Sequence, residues 1–344
     1  MSQALEIDSE LEGLDAPFPE WFRDAMAVPR ESARVDVDGC PIHYLRWGDP
    51  ASPGVVMVHG FLAHARCFAF IAPLLADRFH VVAYDVSGYG DSGARDRYDD
   101  DTRAREMVAV AEAAGMERGG APPAIVAHSY GATLAMSAME QIGDRFSGLL
   151  ACDVLMHRPD RLLAFRAGLE VKGRPRARIP KQRFYPDLET AMSRFRLAPP
   201  QPVENPFLLE YLARHSLKPE GDGWTWKFDP SVYVADGHDD EWWIEQPKRF
   251  ARLVARKAFV YGEHSLLFDA DTAAYLRELG AVDVPIEAIS GARHHLMLDQ
   301  PLAFASTLRS ILETWRRGEH SEAPSHPTGI AKRRRPAPAS VEES

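Results

Sequence analysis

The chain has 344 residues, 45% hydrophobic and 26% charged, with a formal net charge of −10. That length suits one large domain, or one domain carrying an insertion. The acidic balance speaks against a nucleic-acid or membrane-surface role, since both call for a basic face. Cys40, Cys67 and Cys152 have neither paired nor metal-like spacing, which fits structural thiols in a reducing compartment.

The opening stretch, MSQALEIDSELEG, is acidic and lacks an apolar h-region, so no secretory signal is expected. No apolar run approaches the length of a membrane span, and a cytoplasmic location is expected. Residues 1–30 read as an acidic leader whose amphipathic piece, PFPEWFRDAM, packs on the surface. RVDVDGCPIHYLRWGD alternates about Asp38-Gly39 and predicts a two-stranded hairpin.

Short apolar runs of the kind buried on both faces follow at 54–60, 79–85, 123–129, 148–153, 257–263 and 284–290. Helical patterns separate the earlier ones, at Phe68 to Ala76, Thr102 to Ala114 and Gly131 to Gln141. Alternating strands and helices predict an α/β domain with a mostly parallel sheet and helices on both faces. The alternation stops after Met156 and resumes at Lys257. Residues 156–245, rich in Arg, Pro and Trp, therefore read as an inserted, mainly helical cap. The main domain then comprises 31–155 and 246–317, ending in an amphipathic helix from Pro301. The polar, Pro-rich residues 318–344 read as a disordered tail, and their KRRR as solvated charge.

VAHSYGA sets Ser129 between an apolar strand and an apolar helix. Ala127 and Gly131 supply the small side chains that a tight strand-to-helix turn requires on either side of a nucleophile. Serine at that position suits acyl transfer through an acyl-enzyme, or a relative that uses the hydroxyl only as a base; aspartate there would suggest a dehalogenase or epoxide hydrolase. VVMVHGFLAH follows an earlier strand. There His59-Gly60 turns the backbone so that the Phe61 amide, together with that of Tyr130, can form an oxyanion hole. His59 itself reads as a loop hydrogen-bonder. YDVSGYGDSG, with Asp85 and Ser92, reads as a loop-folding motif. In ISGARHHLMLDQP, His294 stands seven residues before Pro301, the spacing of the general base in the family that these motifs resemble, and an imidazole suits that role; its neighbour His295 is expected to point toward the pocket.

These motifs together, covering about residues 35–155 and 246–317, resemble the α/β-hydrolase superfamily. The resemblance implies an α/β-hydrolase fold and places the catalytic acid most often after the seventh strand, in Gly-x-x-Asp. Here that position, in Gly262-Glu263-His264-Ser265, is a serine. Ser265 can orient an imidazole but cannot offset its charge, so the acid is expected elsewhere. Asp153 ends the strand that follows the nucleophile's helix. Because adjacent strands lie ~5 Å apart, its carboxylate can reach the same histidine. It is preferred over Glu263, Asp269 and Asp271. Zearalenone lactonases and one group of haloalkane dehalogenases look similar in placing their acid after this strand.

Trp224 and Trp226 in DGWTWKFDP, with His295 and Ser265, are candidate pocket residues. DGHDDEWW has no ligand spacing that calls for a metal. The combined expectation is a hydrolase without cofactor or metal, acting through Ser129, His294 and Asp153. It would cleave an ester or lactone of a mid-sized, largely apolar small molecule. The alternatives are carbon–carbon bond hydrolysis, a hydroxynitrile-lyase-like use of the same groups, and a non-catalytic ligand receptor. The partners expected are a small-molecule substrate and, at most, a second copy of the chain.

Overall fold

A computed structural model describes residue 11 and residues 17–171, 181–235 and 238–318. The acidic start of the leader and the basic tail lie outside the described residues. The main sheet has eight strands in the order β1-β2-β4-β3-β5-β6-β10-β11. β1 (Arg30–Val37) and β2 (Cys40–Trp47) form the antiparallel hairpin, with Asp38 and Gly39 both at positive φ (52° and 78°). Two such residues are what a tight hairpin turn requires.

β2 pairs antiparallel with β4 (His80–Tyr84). From there the sheet is parallel through β3 (Gly54–Val58), β5 (Ala124–His128), β6 (Gly148–Cys152), β10 (Arg256–Gly262) and β11 (Ile286–Ile289). All residues of β3 to β6 are buried, as their unbroken apolar runs predict for strands covered on both faces. One apolar layer joins the sheet to α2 (Asp100–Ala113) and α3 (Tyr130–Ile142); the other joins it to α10 (Pro301–Arg317). β3 connects outward to β4 on one side while β5 lies on its other side. The carboxyl ends of β3 and β5 thus flank a topological switch point, where α/β sheets hold their ligands.

Two expectations change. Phe68 to Ala76 is not an α-helix; it lies in two short 3₁₀ turns, Ala65–Phe68 and Ala72–Leu74. Pro73 removes an amide and crowds the preceding turn, which stops an α-helix from propagating there. The amphipathic leader piece forms α1 (Glu20–Ala27) and is not merely a surface element. Phe22 and Met26 are fully buried, and the Phe22 ring meets Phe70, Phe207 and Tyr211.

Phe207 and Tyr211 belong to the segment between β6 and β10. It contains α4 (Pro159–Val171), α5 (Leu188–Met192), α6 (Pro206–His215), α7 (Val232–Ala235) and α8 (Asp240–Arg252). It also holds a small antiparallel sheet, β7-β9-β8, of Phe184–Tyr185, Gly223–Trp226 and Leu217–Glu220. The insertion is therefore helical with a β element that the Arg- and Pro-rich sequence does not announce. Two carboxylates of DGHDDEWW serve the fold: Asp239 caps α8 through the Trp242 amide, and Asp240 pairs with Arg166.

Candidate active site

Ser129 follows the last residue of β5 and precedes α3, at φ 54° and ψ −127°. A side-chain-bearing residue is strained there by about 1–3 kcal/mol, and such strain persists where neighbouring structure imposes it. The neighbours are identifiable. The Ser129 amide donates to Cys152 O at 2.8 Å, tying the turn to the end of β6. A Cβ on Gly131 would stand 2.4 Å from His59 O and 2.7 Å from Val58 O, so only glycine lets α3 start this close to β3. On the facing loop, a Cβ on Gly60 would stand 3.0 Å from the Ser129 Cβ. The backbone that carries Phe61 is thereby pressed against the Ser129 turn. Tyr130 is the first residue of α3, where helix amides find no acceptor within the helix. His59 is buried and bonds Gly60 O at 2.8 Å and accepts from the Val86 amide at 3.1 Å, the loop role expected of it.

The same ladder that fixes Ser129 fixes Asp153. His128 pairs with Cys152, and Cys152 with Val260. The Asp153 amide then donates to Val260 O at 2.8 Å. Asp153 has φ 46° and is fully buried. One carboxylate oxygen accepts from the Gly262 amide at 2.8 Å. The other accepts from the Ser265 hydroxyl at 2.7 Å and lies 2.9 Å from His294 Nδ1. A carboxylate on Nδ1 fixes the tautomer with the proton on that nitrogen and leaves Nε2 as a base. His294 is 4% exposed, and its Nε2 has no hydrogen-bond partner among the described residues. Ser129 Oγ is therefore not hydrogen-bonded to it, a loose arrangement common in unliganded sites.

The other loop carboxylates have different work. Glu263 accepts from the Ser290 hydroxyl and the Gly291 amide, both at 2.9 Å, which shapes the turn leading to His294. Asp269 caps α9 (Ala270–Glu278) through the Thr272 amide at 3.0 Å and pairs with Arg161, while Asp271 faces Arg158 and Arg161. The histidine turn is held from the far side as well. Asp299 accepts from the Arg293 amide at 2.7 Å and from Gln201 of the insertion at 2.9 Å.

Ser129, His128, His294 and His295 line one narrow cavity of about 50 Å³ with Phe61, Leu62 and the insertion residues Phe195 to Ala198. His295 donates through Nε2 to Pro199 O at 3.1 Å, and burial pushes its pKa down to about 3. His128 donates to His294 O at 2.9 Å, and burial likewise holds it well below the ordinary histidine range. His295 is thus among the residues that line the cavity. Ser265 does not line the cavity; it serves Asp153 from behind. Trp224 and Trp226 are corrected too. They sit on β9 of the small sheet, where Trp226 meets Tyr185 and Phe195, and Arg214 lies over Trp224. They help build the insertion, and Phe195 rather than a tryptophan reaches the cavity. Sequence reasoning missed Phe195 to Ala198 because they form no motif. His128 stood in the quoted elbow, yet only its carbonyl partner on the histidine turn shows its part.

Asp85 also proves structural. His43 Nδ1 lies 2.7 Å from its carboxylate, which also accepts from the Ala65 and Asp91 amides. Burial opposes its charge, but the His43 bond prevails and keeps its pKa below the usual carboxylate range. His43, Asp85 and Asp91 lie close enough to be weighed as metal ligands, and their hydrogen bonds already account for them as loop-folding groups. Cys40, Cys67 and Cys152 are buried free thiols.

A strained serine elbow at a switch point, beside a buried histidine–carboxylate pair, defines the class of α/β hydrolases. The model of the alpha/beta hydrolase family matches residues 55–307, and the chain belongs to that family. Among curated proteins it is similar to epoxide hydrolase A of Mycobacterium tuberculosis, 32% identical over 133 residues, or 38% of this chain and 40% of that one. It is also similar to 1H-3-hydroxy-4-oxoquinoline 2,4-dioxygenase of Pseudomonas putida, 31% identical over 113 residues, or 32% of this chain and 40% of that one. The chain thus spans about two fifths of the length of these relatives. Among solved structures, E-2-(acetamidomethylene)succinate hydrolase shares the fold at TM-score 0.64 and 20% identity, covering 83% of this chain and all of that one. A novel esterase from Mycobacterium tuberculosis does so at TM-score 0.64 and 19% identity, covering 91% and 99%. Among the described residues no helix is long and apolar enough to cross a membrane.

Proposed function

We propose that this protein is a serine hydrolase that cleaves a carboxylic ester or lactone of a mid-sized, largely apolar small molecule. The observation that carries the reading is the orientation of His294: Nδ1 is held by Asp153 and the unbonded Nε2 belongs to a side chain lining the cavity of Ser129. His294 Nε2 takes the Ser129 proton as Oγ attacks the carbonyl, and later returns it to the leaving alkoxide. Asp153 stabilises the imidazolium formed between these steps. The amides of Phe61 and Tyr130 receive the oxyanion, a contribution of about 3–4 kcal/mol for one such donor. Water then attacks the acyl-Ser129 ester with the same histidine as base, releasing the acid and restoring the hydroxyl.

Ser129 also decides against carrying over the activity of the epoxide hydrolase relative. Opening an epoxide through an ester intermediate that water can cleave calls for a carboxylate nucleophile, and this elbow offers a hydroxyl. The insertion residues Phe195 to Ala198 support a capped site, and a site about 50 Å³ in volume must widen to admit substrate. The test is labelling by a fluorophosphonate followed by turnover of p-nitrophenyl esters, lactones and a dienoate. Ser129 is expected to be labelled, and Ser129→Ala to lose labelling and all but a trace of ester turnover. An unlabelled chain, silent on every ester and lactone, would be a binder. Turnover of the dienoate alone would replace the reading with carbon–carbon bond hydrolysis.

A further inference from the structure

A second histidine–serine pair lines the same cavity, joining the loop after β3 to the end of α6. His64 Nε2 lies 2.9 Å from Ser216 Oγ, and both side chains are buried, at 4% and 8% exposure. The protons in this pair can be assigned. The Ser216 hydroxyl donates its single proton to Leu212 O at 2.7 Å. It can then only accept from His64, which puts the imidazole proton on Nε2 and a lone pair on Nδ1. That Nδ1 is buried and has no hydrogen-bond partner among the described residues. Much of the surrounding wall is apolar, from Leu62, Cys67, Leu197, Leu212 and Met297, with Arg196 and the histidines around Ser129 as its other polar lining. Burial pushes the His64 pKa down to about 3, so the ring stays a neutral acceptor through the physiological range.

We infer that His64 Nδ1 is a recognition point for a hydrogen-bond donor on the substrate, so that the molecule cleaved at Ser129 carries a hydroxyl or N–H group in its otherwise apolar body. The inference rests on the hydrolase reading and narrows its substrate class. A buried acceptor with a fixed tautomer selects strongly, because a ligand lacking the donor leaves it unpaired in the complex. Ser216 is the positioning residue: its bond to Leu212 O is what keeps the proton off Nδ1.

The test is a ratio. Two series of esters are turned over, one with an ω-hydroxyl on the acyl chain of p-nitrophenyl butyrate to octanoate, the other with a hydroxyl on the alcohol of an acetate. Each is compared with its deoxy partner. The wild-type protein should prefer the hydroxy member by about tenfold in kcat/KM at one chain length in one series. His64→Phe should bring that ratio close to one, Ser216→Ala should lower it by releasing the tautomer, and His64→Gln, which keeps an acceptor, should restore part of it. A ratio near one throughout for the wild-type chain, as when a bound water serves Nδ1, overturns the inference, as does an undiminished ratio in His64→Phe. If His64→Phe does not fold, Ser216→Ala and His64→Gln decide: equal ratios in both and in wild type overturn it. Turnover with a flat ratio leaves the hydrolase reading standing. No turnover and no fluorophosphonate labelling of Ser129 removes both.

Discussion

The ends of β6 and β10 lie side by side in the sheet and divide between them a task that one residue can perform. At the end of β10, Gly262-Glu263-His264-Ser265 offers an amide and a hydroxyl. At the end of β6, Asp153 offers the carboxylate that both of them grip. The Asp153 amide is itself bonded to Val260 O, so the two strand ends are one rigid unit. A histidine needs a carboxylate at Nδ1, but it does not matter from which strand the chain delivers it. The ladder spacing of ~5 Å makes neighbouring strand ends nearly interchangeable. What the relocated arrangement adds is a pair of donors on the β10 side, which hold the carboxylate in place while it holds the imidazole.

The strongest way to break this comparison is Asp153→Asn. The amide oxygen can still accept from the Gly262 amide while the NH2 group turns toward the Ser265 hydroxyl oxygen and His294 Nδ1, so the fold should survive with an unchanged circular dichroism spectrum. It can neither stabilise an imidazolium nor enforce the proton on Nδ1. Ester kcat should fall by about 10³- to 10⁴-fold. Activity within a few-fold of wild type would show that the acid lies elsewhere. Next in size is the transplant. In Asp153→Asn combined with Ser265→Asp, the carboxylate moves back to the end of β10, and kcat should recover by about 10- to 100-fold over Asp153→Asn alone. No recovery would mean that the β10 loop no longer aims its fourth residue at His294.

Much of this unit was legible because strand ends are legible. The apolar runs of β5, β6 and β10 marked where each chain segment leaves the sheet, and the polar residue just beyond each run was the candidate. Ser129 and His294 needed only local spacing. Asp153 needed one further step, that the helix after Ser129 returns the chain to the adjacent strand. The pocket wall did not yield to the same reasoning. Trp224 and Trp226 are conspicuous in sequence, but on a strand alternate side chains and sheet neighbours decide what they face, and they pack within the insertion. His64 and Ser216 meet across 152 positions of chain, a separation that no local pattern encodes. The 3₁₀ turns at 65–74 are nearly all buried, and without a polar face the apolar spacing could not separate a helix from a tight coil.

Smaller effects sharpen the division of labour. Ser265→Ala removes one of the two donors that the β10 side offers a buried carboxylate, while leaving the Gly262 amide and His294 in place. Losing one such charge-assisted bond is worth about 1–3 kcal/mol. Part of that should appear as lower thermal stability and part as a drop of about 3- to 10-fold in kcat, with KM little changed. A drop as large as that of Asp153→Asn would make Ser265 a direct partner of His294 instead of a support.

The smallest effects belong to the carboxylates that share the β10 loop without touching the histidine. Asp269 and Asp271 stand where the β10 loop runs into α9, Asp269 as its N-cap and Asp271 in its first turn, and their partners are the Thr272 amide and the guanidinium groups of Arg158 and Arg161. Asparagine caps a helix almost as well as aspartate, and exposed ion pairs contribute at most about 1 kcal/mol. Asp269→Asn and Asp271→Asn should therefore leave kcat/KM within about twofold of wild type and change stability by less than about 1 kcal/mol in urea titrations. A hundredfold loss in either would place a second acid within reach of His294. The end of β6 would then no longer be the place that completes the site.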